Sequence, residues 1–204
     1  MDSFRPQSDP RLTFFREFLR RPEEVGSVVP SSRFLERRLV DIADVTNARL
    51  VVELGPGTGG TTAAVLRALR AEARLLAIEI NVQFAALLRS IPDSRLTVHT
   101  GSAVDIGEAL ARHGLSGPDV VLSGIPFSTM PPVVGRRILR RVWHALTPQG
   151  RFVAYQFRGS VGILGRDILG APEVTIELLN APPMRVYSWR KPANDVAGAM
   201  AAEP

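Results

Sequence analysis

Two carboxylates and a run of glycines carry the clearest chemistry in the sequence. Glu53-Leu-Gly55-Pro-Gly57-Thr58-Gly59-Gly60 places an acid directly ahead of a glycine loop. Gly55, Gly57 and Gly60 satisfy the G-x-G-x-x-G spacing that lets a backbone approach a nucleotide closely. Glu79 follows 20 residues after Gly59, at the distance where an acid bonds the hydroxyls of a ribose. The pair points to a ribose-bearing cofactor. Glu53 restricts its other end, because a carboxylate is a poor neighbour for a pyrophosphate. It suits a cationic amino-acid end with a sulfonium, which describes S-adenosylmethionine. The competing reading is a nicotinamide-dinucleotide site, or glycines that serve only the turn. The paired acids weigh against it.

These residues need a strand-to-helix scaffold, and the hydrophobic pattern supplies one. Arg49–Leu54, Arg74–Glu79, Leu96–Thr100, Asp119–Ser123 and Arg151–Phe157 read as strands. Thr61–Ala71, Val82–Ser90 and Pro132–Leu146 between them read as helices. Near-continuous apolar strands alternating with helices imply a parallel sheet covered on both faces. The alternation stops at Glu173–Leu179 and Met184–Arg190, two strands joined by Asn-Ala-Pro-Pro into an antiparallel hairpin. The glycine loop and Glu79 then sit at carboxyl ends of adjacent strands.

The N-terminal region reads differently. Arg11–Arg21 places Leu12, Phe15, Phe18 and Leu19 at helical spacing, with Phe14 beside them and Arg11, Arg16, Arg20 and Arg21 largely outside the stripe. That is a short basic amphipathic helix. Its phenylalanines could pack on the domain, or dock on a membrane surface. Gly26-Ser-Val-Val-Pro-Ser31-Ser32 then turns into a helix near Arg33–Ala43. Ser31 or Ser32 is an N-cap candidate, and the free N–H groups there could hold an anion. The expected organisation is a helical extension over 1–47, a core domain over 48–190 and a loose tail over 191–204.

Composition bounds the rest. The 204 residues suit one domain, with 45% hydrophobic and 22% charged residues. The absence of Cys excludes disulfides, thiolate metal sites and a Cys nucleophile, and three scattered His make a metal site an unfavourable reading. No metal is expected. No signal peptide or membrane-spanning run is legible, so the expected location is cytoplasmic. The 25 Lys+Arg exceed the 20 Asp+Glu, and every basic residue except Lys191 is Arg. Val120–Gly165 contains six Arg and no acid. Such a surface suits anionic lipid or RNA, or is a solvated helix face.

On these residues the chain resembles the class I methyltransferases, whose first motif reads acid-x-Gly-x-Gly-x-Gly, here Glu53, Gly55, Gly57 and Gly59. Gly101-Ser102-Ala103 follows the third strand, where such enzymes usually carry Gly-Asp-Ala, and Leu146-Thr-Pro-Gln-Gly150 resembles their turn before the fifth strand. The resemblance covers roughly residues 48–190. It implies a Rossmann-like α/β fold: a seven-stranded, mostly parallel sheet in the order 3-2-1-4-5-7-6, with a C-terminal antiparallel hairpin. It also implies a cofactor site built from Glu53, Gly55, Gly57, Thr58, Gly59, Glu79, Ile80, Ser102, Ala103 and Ser123, holding S-adenosylmethionine and releasing S-adenosylhomocysteine.

Ser123-Gly124-Ile125-Pro126-Phe127 at the end of the fourth strand resembles the Asn-Ile-Pro-Tyr segment of ribosomal RNA adenine dimethylases. There a polar side chain accepts a hydrogen bond from a planar adenine amine. Gly124 supplies no such side chain, whereas a flexible primary amine could use backbone carbonyls at the Gly124-Ile125-Pro126 corner. Phe127 could face a methylammonium by cation–π contact, or merely fill core. The amine must lose a proton before transfer, and Tyr155 is the candidate to accept a hydrogen bond from it or, through water, its proton, with His144 as the alternative.

The N-terminal helix, Gly-Ser-Val-Val-Pro-Ser-Ser, Glu-Leu-Gly-Pro-Gly-Thr-Gly, Ser-Gly-Ile-Pro-Phe and Asn-Ala-Pro-Pro-Met-Arg185-Val-Tyr together resemble the soluble bacterial phospholipid N-methyltransferases. That resemblance implies stepwise methylation of phosphatidylethanolamine to phosphatidylcholine by a monomer on the cytoplasmic face of an anionic membrane. Ser31, Ser32, Arg158 and Arg185 are the candidate phospholipid-substrate contacts. Arg11, Phe14, Phe15, Phe18, Leu19 and Arg20 are the candidate membrane contacts. An RNA adenine methylase usually carries a further helical domain, for which residues 191–204 are too few; RNA stays as the alternative partner, and a small-molecule amine methyltransferase, for which the Arg-rich helix would be incidental, is the other alternative.

Overall fold

The structure is a computed structural model that describes residues 31–194. The basic helix expected at 11–21, with Arg11, Phe14, Phe15, Phe18, Leu19 and Arg20, lies outside the described residues.

Seven strands form one sheet: β1 Leu50–Leu54, β2 Arg74–Glu79, β3 Leu96–Thr100, β4 Val120–Ser123, β5 Arg151–Gln156, β6 Glu173–Glu177 and β7 Met184–Arg190. Their order is β3-β2-β1-β4-β5-β7-β6, the order that the resemblance to class I methyltransferases implied. β1 pairs in parallel with β2 and β4, β2 with β3, and β4 with β5. β7 runs antiparallel to β5 and β6. All five residues of β1 are buried, as a central strand covered on both faces requires.

Among the described residues six helices flank the sheet: α1 Arg33–Ala43, α2 Gly60–Ala68, α3 Val82–Arg89, α4 Ile106–Arg112, α5 Pro132–Ala145 and α6 Ser160–Leu169. One core layer packs Leu35 and Leu39 of α1 and Val65 of α2 on Val51, Leu75 and Val153. The other packs Ile138, Leu139 and Val142 of α5 on Val52, Val121 and Phe152.

Two helices were not legible in the sequence. α4 has only seven residues. α6 contains Gly162 and Gly165, which lower helix propensity. Their purpose is close packing: a Cβ on Gly162 would lie 2.6 Å from Tyr187, and one on Gly165 2.6 Å from Trp189. The expected loose tail is also tighter at its start. Lys191 is buried, and its Nζ donates to the carbonyls of Trp143 at 2.7 Å and Leu146 at 2.9 Å. A single Lys thereby satisfies carbonyls at the C-terminal end of α5.

Candidate active site

The carboxyl ends of β1, β2, β4 and β5 gather the site. The glycine loop leaves β1 with Gly55, Gly57 and Gly59 all at positive φ, from +57° to +90°, a region other residues rarely adopt. Among the described residues, a Cβ on Gly57 would meet nothing within 4 Å, so they leave open space before the loop.

Glu79 ends β2 and is folded back under this loop. One carboxylate oxygen accepts from Gly57 N at 3.0 Å and the other from Asn81 N at 2.8 Å. Burial raises its pKa, and these bonds oppose the rise. Asn81, a residue the sequence reading did not single out, also caps α3 by accepting from the N–H groups of Gln83 and Phe84. Its position directly after Ile80 and before an apolar helical run was the available signal.

Glu53 is the more unusual acid. It is 1% exposed. One oxygen accepts from the Thr62 hydroxyl at 2.6 Å, and the other has no partner among the described residues. Burial pushes its pKa up to about 7; the Thr62 bond opposes that shift and Glu79 adds to it. A buried carboxylate with one orphaned oxygen is what a bound ammonium would complete.

On the acceptor side, Gly124 N donates to Leu54 O at 3.0 Å, which fixes the corner against β1. A Cβ at Gly124 would fall 2.6 Å from the Tyr155 hydroxyl and 3.1 Å from the Gly55 carbonyl. Tyr155 of β5 therefore occupies the space that a side chain at 124 would need. Its hydroxyl lies 3.1 Å from the Thr61 hydroxyl and also bonds the side chain of Ser31. Burial, and then the charge of Glu53, push its phenol well above the ordinary range. The raised pKa favours the neutral phenol, so of the two roles expected of Tyr155 the hydrogen-bonding one fits this environment better than proton acceptance.

Other expected residues change roles. Phe127 is 2% exposed and belongs to the core, so it cannot face an amine; Pro126 and Phe127 shape and anchor the turn. The fully buried Ser123 hydroxyl accepts from Ile125 N at 3.4 Å, which serves the turn and not a cofactor. The carbonyl of Ile125 already accepts from the Gln156 amide. Gln156 was missed in the sequence because a lone strand amide carries no signal. Ser102 caps the short turn Ala103–Asp105 by accepting from Val104 N at 3.3 Å, with Ala103 beneath it. Ile80 is half-buried beside Glu79, and Thr58 is exposed on the loop.

Ser32 is the N-cap of α1: its hydroxyl accepts from Leu35 N at 3.2 Å and its own N–H donates to Asn180. It is thus engaged in structure and not in anion binding, whereas Ser31 reaches the site through Tyr155. Arg185 donates to the Phe157 carbonyl at 2.8 Å, and Arg158 is exposed beyond β5. His144 lies in the last turn of α5. That turn is at the opposite edge of the sheet, so His144 is removed from the candidates for a base. Among the described residues, no group of three or more His, Cys, Asp or Glu could hold a metal.

Comparison with known proteins gives this geometry a family. No protein-family model matches the chain. An ornithine lipid N-methyltransferase of Singulisphaera acidiphila is 33% identical over 141 residues, 68% of this chain and 73% of that protein. Ribosomal RNA small subunit methyltransferase A of Kineococcus radiotolerans is 34% identical over 100 residues, 48% of this chain but only 32% of that protein. Among solved structures, an O-methyltransferase from Bacillus cereus in complex with S-adenosylhomocysteine superposes with a TM-score of 0.65 at 13% identity, covering 92% of this chain and 94% of that one. The 1,6-didemethyltoxoflavin-N1-methyltransferase of Burkholderia thailandensis, also with S-adenosylhomocysteine, gives 0.64 at 18% identity, covering 94% and 93%.

The chain belongs to the class I S-adenosylmethionine-dependent methyltransferases. Within that class, the chain matches a lipid N-methyltransferase across most of both proteins.

The residues present fit the cofactor of that class. The orphaned oxygen of Glu53 would pair with its ammonium, and the Glu79 carboxylate has remaining lone pairs for ribose hydroxyls. The open space before Gly57 admits its backbone-bound portion. Bound there, S-adenosylmethionine supplies an electrophilic methyl on a sulfonium.

Proposed function

We infer that this methyltransferase acts on the primary amine of a membrane lipid headgroup, with phosphatidylethanolamine and its mono- and dimethyl forms, on the way to phosphatidylcholine, as the expected substrates. Ornithine lipid presents the same chemistry, an sp3 amine tethered to acyl chains. The observation that carries this reading is the match across 73% of a protein named for N-methylating ornithine lipid. The acceptor side agrees with it. No side chain at 124 is available for a planar base, and a hydroxyl fills its place. A rotatable amine can reach that hydroxyl and adjust its angle between successive methylations.

In this reading the chain aligns and desolvates. The glycine loop, Glu53 and Glu79 hold the methyl donor. The neutral Tyr155 hydroxyl, held by Thr61 and Ser31, accepts a hydrogen bond from an N–H of the primary and monomethyl amines, and the dimethyl amine, which has no N–H, is held by packing alone. Exclusion of water lowers the pKa of the ammonium and favours the nucleophilic free amine. Arg158 and Arg185, just past β5 and at the start of β7, are the candidate partners of the lipid phosphate. The amphipathic segment 11–21 docks on the anionic cytoplasmic surface of the membrane, and the chain works as a monomer.

The test uses purified full-length chain and methyl-labelled S-adenosylmethionine, offered in parallel phosphatidylethanolamine vesicles, ornithine lipid vesicles and total RNA. Label in mono-, di- and trimethylated headgroups is the expected result, and the two lipid arms distinguish the headgroup. Label confined to RNA would replace this reading with the adenine class, towards which the shorter matches to ribosomal RNA enzymes point.

A further inference from the structure

The β6–β7 turn is built inside out. Turns usually expose polar residues and bury apolar ones. Here Leu178 and Leu179 are 72% and 63% exposed, while Glu177 and Asn180 on either side are buried. The two polar residues hold the backbone. Glu177 accepts from Leu179 N at 2.8 Å and from Arg38 at 2.6 Å. Asn180 accepts from Ser32 N and donates to the Pro182 carbonyl, both at 2.8 Å. The leucines are therefore presented on a fixed platform and not on a slack loop.

The position of this platform gives it meaning. β7 is antiparallel to β5, and Gln156 pairs with Arg185. The turn thus lies at the same sheet edge as Tyr155, Gly124 and the glycine loop. Phe157, 48% exposed, is the next residue along β5, and Arg158 follows it. Ile176 is directly opposite Arg185 and half exposed. Among the described residues the one acid in this patch, Glu177, is buried and paired with Arg38. What faces out is apolar and cationic.

We propose that Leu178, Leu179 and Phe157, flanked by Arg158 and Arg185, form a membrane-insertion rim that seats the carboxyl edge of the sheet on an anionic bilayer. It is a contact of the folded domain, separate from the 11–21 segment. Leucines enter the acyl boundary, and the guanidinium groups meet lipid phosphates. An RNA partner would use the cations but gain nothing from exposed leucines. The orientation turns the acceptor corner towards the headgroups, and so rests on the lipid reading of the site.

The test is flotation of the full chain with vesicles of phosphatidylethanolamine and phosphatidylglycerol, comparing the unaltered protein with Leu178→Asp/Leu179→Asp. Thermal melting and S-adenosylmethionine binding check that the variant is folded. The variant should lose at least about tenfold in partition, because burial of two leucines exceeds one decade of affinity. It should still methylate a detergent-dispersed aminolipid. As a second readout, Leu179→Trp should gain fluorescence quenching by brominated lipid. Equal flotation of both proteins, or no added quenching in the tryptophan variant, overturns the rim. So does loss of self-association in the aspartate variant when the unaltered chain does not float, since the patch would then join two copies. Failure of both proteins to methylate any lipid, with flotation still lost in the variant, refutes the lipid substrate and leaves the rim standing.

Discussion

Glu53 shows how one atom's surroundings set a protein's pH behaviour. Its carboxyl is raised from 4.5 to about 7 in the folded chain. The folded state therefore binds a proton more tightly than the unfolded chain. Its contribution to stability is fully present below about pH 4.5 and is lost as pH rises through 7. The cofactor-free protein should thus lose roughly 3 kcal/mol of stability over that range, and Glu53→Gln should flatten the profile in urea melts taken from pH 5 to 8. Cofactor affinity should move the other way, rising through pH 7 as Glu53 ionises and can pair with an ammonium. Calorimetric titration at three pH values checks this, and Glu53→Gln should remove the slope. Glu79→Ala should weaken S-adenosylmethionine binding about 10- to 100-fold at every pH, from the loss of charge-assisted bonds. Gly124 and Tyr155 form a coupled pair. Gly124→Ala should cut kcat at least about tenfold by displacing the hydroxyl. Tyr155→Phe should lower kcat with little change in cofactor affinity. The double variant should lose less than the product of the two, because the phenylalanine relieves the clash.

The elements explain why some glycines sit against their propensity. In a solvent-facing helix, Gly165→Ala would add up to about 1 kcal/mol of stability. In α6 the added methyl would lie 2.6 Å from the Trp189 ring. Trp189 cannot retreat easily: its Nε1 donates to the Gly170 carbonyl at 2.9 Å and its ring stacks on Phe152 at 5.4 Å. Overpacking should win, with a net loss of about 1–3 kcal/mol in urea denaturation. The same logic accounts for the missed helix. Its sequence trades intrinsic helicity for a close approach to β7, a trade visible only when both partners are in place.

At the scale of the whole molecule, charge and apolar exposure act together. The formal net charge is +5, and acid-free arginines line α5, though Arg136 pairs with Asp167 at 2.9 Å. Long-range attraction to an anionic surface is screened within about 8–10 Å at physiological salt. Raising salt from about 0.05 to 0.5 M should therefore weaken vesicle flotation several-fold without abolishing it. A purely electrostatic RNA-type association would instead collapse by several decades. Among the described residues no helix is long and apolar enough to cross a membrane.

Local and periodic features were decided by sequence. Period-two and period-3.6 patterns set the strands and most helices, and a glycine loop between two acids identified the cofactor, because those contacts are made by one strand-to-helix turn and its neighbour. A cap at Ser31 or Ser32 was likewise legible, since a cap is a matter of four consecutive residues, and the structure chose Ser32. Only tertiary structure decided which side chains meet from distant elements. Thr61 and Tyr155 lie 94 residues apart yet share a hydrogen bond. Tyr155, not Phe127, stands beside Gly124, because strand pairing put β5 next to β4 and carried Phe127 into the core. The exposed leucines of the β6–β7 turn belong to the same class. Their outward aim follows from Glu177 and Asn180 reaching inward to Arg38 and Ser32, partners that α1 supplies from the other end of the chain.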